Sequence, residues 1–221
     1  LIRRGTIISV KTLAIETPSG TANAYLNPSA EPRAALVLGH GAGGGVQAKD
    51  IAAAAGAAHS VGMSVALVEQ PYRVAGRRSP APAHQLDAAW TAAIDHLVAG
   101  ELHGLPLVVG GRSAGARVAC RTAEIVGAIG VLCLAFPLQP PRRSGAMLAQ
   151  SRLSELDAVT VPMLVVQGTR DPFGIPPATE SRTVVQVAGD HSLRTDLAAV
   201  GEAVRAWLLR VALESHTTRT S

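Results

Sequence analysis

Val108-Val109-Gly110-Gly111-Arg112-Ser113-Ala114-Gly115-Ala116-Arg117 is the stretch on which the reading of the whole chain turns. The apolar run Leu107 to Val109 predicts a buried strand, and the alanine-rich run from Ser113 to about Ile125 predicts a helix. Between them Gly111-Arg112-Ser113-Ala114-Gly115 matches G-x-S-x-G. In a strand-to-helix turn that spacing forces the serine into a sharp bend and lifts its hydroxyl above the sheet edge. Glycines two residues either side fit because a side chain there would strike the neighbouring strand or helix. Amides opening the helix would face whatever the serine attacks, and the helix dipole favours negative charge at that end. A serine can also sit before a helix simply to cap it. The flanking strand and helix favour the nucleophile reading.

Working outward, short apolar segments alternate with helical ones. Thr6 to Thr17 and Thr21 to Leu26, split by Pro18-Ser19-Gly20, predict a β-hairpin. Strands are predicted at Ala34–Leu38, Ser64–Val68, Leu107–Val109, Gly130–Ala135, Met163–Gln167 and Thr183–Val187. Helices are predicted at Ala48–Ser60, His84–Ala99, around Ala146–Leu156, and at Leu193–Leu213, with a frayed tail from Glu214. In the second of these, Leu86, Ala89, Trp90, Ala93, Ile94 and Leu97 fall on one face. Strands this apolar are buried on both faces, so the expected fold class is α/β, a mostly parallel sheet between two helix layers. Right-handed crossovers then put every loop leaving a strand's carboxyl end on one edge.

Composition bounds the function. The 221 residues suit one domain, and 48% hydrophobic with 16% charged residues describes a chain able to bury a core unaided by disulfides or metal. Aromatics are only 3%, so Ala, Val, Leu and Ile must fill it. The net charge of +4 is carried by arginine, Lys11 and Lys49 being the only lysines. No basic helix, basic–aromatic stripe or zinc spacing accompanies it, so no nucleic acid is expected. Cys120 and Cys133 read as small core residues. No apolar run is long enough to span a bilayer, and the stretch after Arg3-Arg4 is too broken for a signal peptide, so no membrane and a cytoplasmic location are expected. The oligomeric state is not readable.

A serine hydroxyl needs a base to take its proton, and the base needs a group to hold its tautomer. Asp171 follows the strand ending at Gln167, and His191 follows the one ending at Val187, so both fall at the edge that carries Ser113. The amide of Ala114 is the expected first oxyanion donor, and Ala42, in the loop His40-Gly41-Ala42-Gly43, the second. Tyr72, Arg73 and Arg112 are the candidate substrate-binding residues. No histidine pair has metal-ligand spacing, so no metal or other cofactor is expected. A competing pattern lies in Gly39-His40-Gly41-Ala42-Gly43-Gly44. It matches G-x-G-x-x-G between strand and helix, with Glu69 closing the next strand, the layout of a dinucleotide site. That alternative leaves Ser113, Asp171 and His191 unexplained.

The chain order Ser113, Asp171, His191 resembles that of serine α/β-hydrolases. With Gly39 to Gly44, Pro71-Tyr72-Arg73, Gly76-Arg77-Arg78, Gly110 to Gly115, Phe136-Pro137-Leu138, Pro140-Pro141, Gln167 to Gly174 and Gly189-Asp190-His191-Ser192, it resembles most the small, capless, predicted-hydrolase branch related to dienelactone hydrolases. The resemblance implies an eight-stranded-type core and a Ser113–His191–Asp171 triad. Dienelactone hydrolases resemble a cysteine-nucleophile pattern, whereas this position is serine, so that activity does not transfer. The branch also resembles a scaffolding subunit of a nuclear acetyltransferase complex, which keeps a non-catalytic binding module as an alternative. The loop after Ala135 is short, which predicts an open site for small esters or thioesters. Arg73, Arg77, Arg78, Arg112, Arg142, Arg143 and Arg170 fall on edge loops and suggest a preference for anionic substrates.

Overall fold

The apolar runs form a single eight-stranded sheet in a computed structural model that describes residues 10–139 and 150–217, with side chains described through Val211. β1 (Lys11–Thr17) and β2 (Gly20–Asn27) make the expected hairpin, β2 lying antiparallel to β4 (Met63–Glu69). The remaining strands, β3 (Ala34–Gly39), β5 (Leu107–Arg112), β6 (Gly130–Leu134), β7 (Met163–Gly168) and β8 (Arg182–Val187), run parallel to β4. The spatial order is β1-β2-β4-β3-β5-β6-β7-β8.

The sheet is covered on both sides, as strands without a polar face require. β3, β6 and β7 are buried at every position. Along β3, Ala35 and Val37 face one core while Ala34, Leu36 and Leu38 face the other, the two-residue period of a strand. The first core is closed by α3 (Ala83–Ala99) and α4 (Ala114–Thr122), with Trp90, Ile94, Leu97, Val118 and Ala119. The second is closed by α1 (Lys49–Ser60) and α6 (Leu197–Thr217), with Ile51, Ala54, Val200, Val204 and Trp207. Two short helices complete the set, α2 (Pro71–Val74) and α5 (Leu153–Asp157). Cys120 and Cys133 are buried free thiols with sulfurs 3.5 Å apart, small core residues as expected.

Several boundaries differ from the sequence reading. The expected start of the hairpin at Thr6 lies outside the described residues, as do Arg142, Arg143 and residues 146–149 of the helix expected at Ala146–Leu156; residues 150–152 are not helical, and only the end of that expectation is met, by α5. α4 stops at Thr122 and gives way to turns. α6 begins at Leu197, not Leu193: Leu193 has φ +50°, and Asp196 caps the helix by accepting the Ala199 amide at 2.9 Å. The loop after Glu69 contains α2, with Pro71 at its first position, where a missing amide costs nothing. Among the described residues no segment forms a separate lid, and no helix is long and apolar enough to cross a membrane.

Candidate active site

β5 carries Ser113 to the carboxyl edge and α4 takes the chain away at once. The serine holds φ +52° and ψ −107°, a conformation L-residues seldom adopt, which persists only where the surroundings impose it. The surroundings here are backbone. The Ser113 amide donates to the Leu134 carbonyl of β6 at 2.9 Å. A Cβ on Gly111 would lie 2.6 Å from the Gly39 oxygen, and one on Gly115 would lie 2.6 Å from the Gly39 carbonyl carbon. Both positions therefore exclude side chains. Ala114 opens α4, so its amide has no intrahelical carbonyl to bond.

Two later loops of the same edge reach back to the serine. His191 Nε2 lies 3.0 Å from Ser113 Oγ, and His191 Nδ1 lies 2.8 Å from Asp171 Oδ2. The side chains grade from a histidine 20% exposed to an aspartate fully enclosed. Phe173 packs edge-on against the imidazole, ring centres 4.4 Å apart. The aspartate is held from behind. Its Oδ1 accepts the Phe173 amide at 2.9 Å, and its Oδ2 also accepts from Gln167 Nε2 at 2.8 Å. Gln167, fully buried at the end of β7, takes the Phe136 amide on Oε1 and lies within reach of the Phe136 and Gly174 carbonyls through Nε2. The sequence reading gave Gln167 no role. Its signal was a lone amide ending an otherwise apolar strand four residues before the acid.

The loop after β3 is braced by buried polar groups. His40 donates from Nδ1 to the Gly41 carbonyl at 2.9 Å and accepts the Gln70 amide on Nε2 at 3.0 Å. Burial pushes its pKa below the ordinary histidine range, so the neutral ring fits both bonds. The Tyr72 hydroxyl donates to the Ala42 carbonyl at 3.0 Å, and burial raises its pKa. Tyr72, expected to bind substrate, holds the Ala42 loop through this bond. Arg112, likewise expected to bind substrate, donates from Nε to Asp50 at 2.8 Å and from Nη2 to the His191 carbonyl at 3.0 Å, so its guanidinium is engaged within the protein. Arg73, on α2, is partly buried, and its Nε has no hydrogen-bond partner among the described residues. Arg77, Arg78 and Arg170 are exposed.

The dinucleotide alternative does not assemble. Gly45 to Ala48 intervene between Gly44 and the start of α1, so no helix N-terminus sits on the glycine loop. Gly43, Gly44 and Gly45 border open space, with nothing a side chain would strike. Glu69 accepts the Tyr25 hydroxyl at 3.0 Å. Among the described residues no cluster of His, Cys, Asp and Glu is arranged to hold a metal ion.

Comparison with known proteins agrees with this architecture. A family model described as an alpha/beta hydrolase domain matches residues 32–215. Among solved structures the chain is similar to Est1E from Butyrivibrio proteoclasticus, at 17% identity and TM-score 0.72, over 92% of this chain and 99% of that one. It is also similar to an α/β serine hydrolase without lid from Xanthomonas campestris, at 19% identity and TM-score 0.66, over 91% and 96% of the two chains. Dienelactone hydrolase from Anabaena variabilis aligns at 14% identity and TM-score 0.72, over 91% and 97%. A search of curated sequences gives no match.

Proposed function

The chain belongs to the α/β-hydrolase family, and from that premise we propose that it is a serine hydrolase cleaving small carboxylic esters or thioesters through an acyl-enzyme on Ser113. The observation that carries the reading is the unbroken run from Ser113 Oγ through His191 to Asp171, at 3.0 and 2.8 Å. Ser113 attacks the carbonyl as His191 Nε2 takes its proton, and Asp171 holds the Nδ1–H tautomer and balances the imidazolium. The Ala114 and Ala42 amides receive the developing oxyanion, a contribution of about 3–4 kcal/mol per donor in comparable sites. His191 then protonates the leaving alkoxide or thiolate. Water, deprotonated by the same imidazole, releases the acyl group.

Arg77, Arg78 and Arg170 stand exposed on the loops of this edge and support a preference for substrates bearing a carboxylate or phosphate. Turnover of neutral and carboxylate-bearing esters in low salt reads that preference; equal turnover removes it. The reaction class itself is tested with a serine-directed fluorophosphonate and a panel of short esters and thioesters. Wild type is labelled and turns over, whereas Ser113→Ala does neither and still melts cooperatively. Retained hydrolysis in that variant would overturn the assignment.

A further inference from the structure

We propose that Arg112 is a positioning residue: it ties the histidine loop to the nucleophile elbow and seals the back of the Ala42 loop, with Asp50 as the counter-charge that holds it in place. This rests on the hydrolase reading above. Arg112 directly precedes Ser113, so its backbone is fixed by the same bend. Its planar fork serves separate partners at once. Nε donates to Asp50 Oδ2 at 2.8 Å, and Nη2 to the His191 carbonyl at 3.0 Å. Nη1 lies against Gly41, where an added Cβ would stand 2.8 Å from it. A side chain at Gly41 would have to push this guanidinium aside, while its other neighbours stand at 3.6 Å.

The anchor is rigid. Asp50 is in the first turn of α1, 1% exposed, with its second oxygen accepting the Ile51 amide at 3.0 Å. Ile51, Ala54 and Ala58 bury that helix in the core. The object held is the loop after β8. His191 sits between two residues of positive φ, Gly189 at +131° and Leu193 at +50°. Asp171 fixes the imidazole by its ring, and Arg112 fixes the same residue by its backbone. The two restraints act on different parts of the residue, so losing the Arg112 bond leaves the His191 backbone to the loop's own hydrogen bonds and lets Nε2 shift relative to Ser113 Oγ. Lysine cannot substitute, because one ammonium on a flexible stem cannot face Asp50 and the His191 carbonyl in the same geometry.

The test is steady-state kinetics on a small neutral ester, in wild type, Arg112→Lys, Arg112→Gln and the double variant Asp50→Leu/Arg112→Met. The double variant removes both charges together, which avoids leaving an unpaired buried carboxylate. The expected result is a kcat lower by about tenfold in Arg112→Lys and by about 100-fold in the other two, the scale of an ångström-sized misplacement. KM should stay within about twofold of wild type throughout. A kcat near wild type in Arg112→Lys and in the folded double variant would refute the positioning role. So would a raised KM at unchanged kcat, the mark of a residue that grips substrate. Ser113→Ala runs alongside: activity surviving there overturns the hydrolase reading, and the positioning role with it.

Discussion

Replacing Gln167 with leucine removes the group that ties Asp171 to the strand beneath it. The side chain is fully buried and spends its oxygen on the Phe136 amide at 2.9 Å. Its nitrogen carries two protons and faces three acceptors, Asp171 Oδ2 and the carbonyls of Phe136 and Gly174. Leucine fills similar space but leaves the Phe136 amide and at least one carbonyl without partners. At about 1–3 kcal/mol for each orphaned buried group, less what the apolar side chain returns, the net loss is about 2–4 kcal/mol. For a chain of this length that lowers Tm by roughly 5–15 °C. Asp171 keeps the Phe173 amide and His191 but loses one charge-assisted bond. The acid is then less firmly held, and kcat at 25 °C should fall about tenfold with KM little changed. Glutamate at the same position is a sharper probe. Once ionised it sets a second carboxylate against Asp171, so activity relative to wild type at the same pH should fall as pH rises and recover towards acid, where a protonated glutamate can donate as the amide did. Calorimetry and ester hydrolysis between about pH 5 and 8 measure both effects. A leucine variant within 2 °C and twofold of wild type would refute this account of the acid's support.

Three further outcomes follow from the same contacts. Gly115→Ala forces a methyl against the Gly39 carbonyl group, both sides being backbone, and should cost about 1–3 kcal/mol by urea unfolding together with most of the activity; a neutral result would mean the elbow yields more than its packing implies. Buried, neutral His40 makes stability fall in acid. Below its ordinary value of 6.5 the unfolded chain takes a proton that the folded ring refuses, a loss of up to about 1.4 kcal/mol per pH unit until the folded pKa is passed. Above 6.5 both states are neutral and the residue contributes no slope. His40→Asn should flatten the stability profile just below pH 6.5, and an unchanged slope would clear His40 of it. Tyr72→Phe removes the bond to the Ala42 carbonyl, and should lower kcat about three- to tenfold while costing roughly 1 kcal/mol of stability; an unaltered kcat would detach Tyr72 from the oxyanion loop.

Much of the architecture was legible because the central strands carry almost no polar residues. Runs such as Ala34–Leu38 and Met163–Gln167 can only be two-sided core strands, and the Gly111–Gly115 spacing has one mechanical use between strand and helix. The Ser113, Asp171 and His191 positions follow from where their strands end. What stayed hidden depends on partners distant in the chain. Nothing near Arg112 announces Asp50, 62 residues away, or the His191 carbonyl, 79 away. The sequence shows an arginine at this edge but not the protein groups it bonds. Tyr72 is the same case, turned inward by a carbonyl 30 residues upstream. The start of α6 was missed for a local reason: Leu193 looks helical by type but lies in a left-handed turn, and the true start was marked by Asp196.

The proposed triad lies on the carboxyl edge, opposite the rim at which β5 and β6 begin. The turns there at Gly104 and Gly127, just ahead of β5 and β6, have positive φ and open space around the α-carbon. Peptide tags, tethers to a solid support or whole guest domains spliced into those turns would hang off the far side of the molecule, leaving the mouth of the site free to face its substrate.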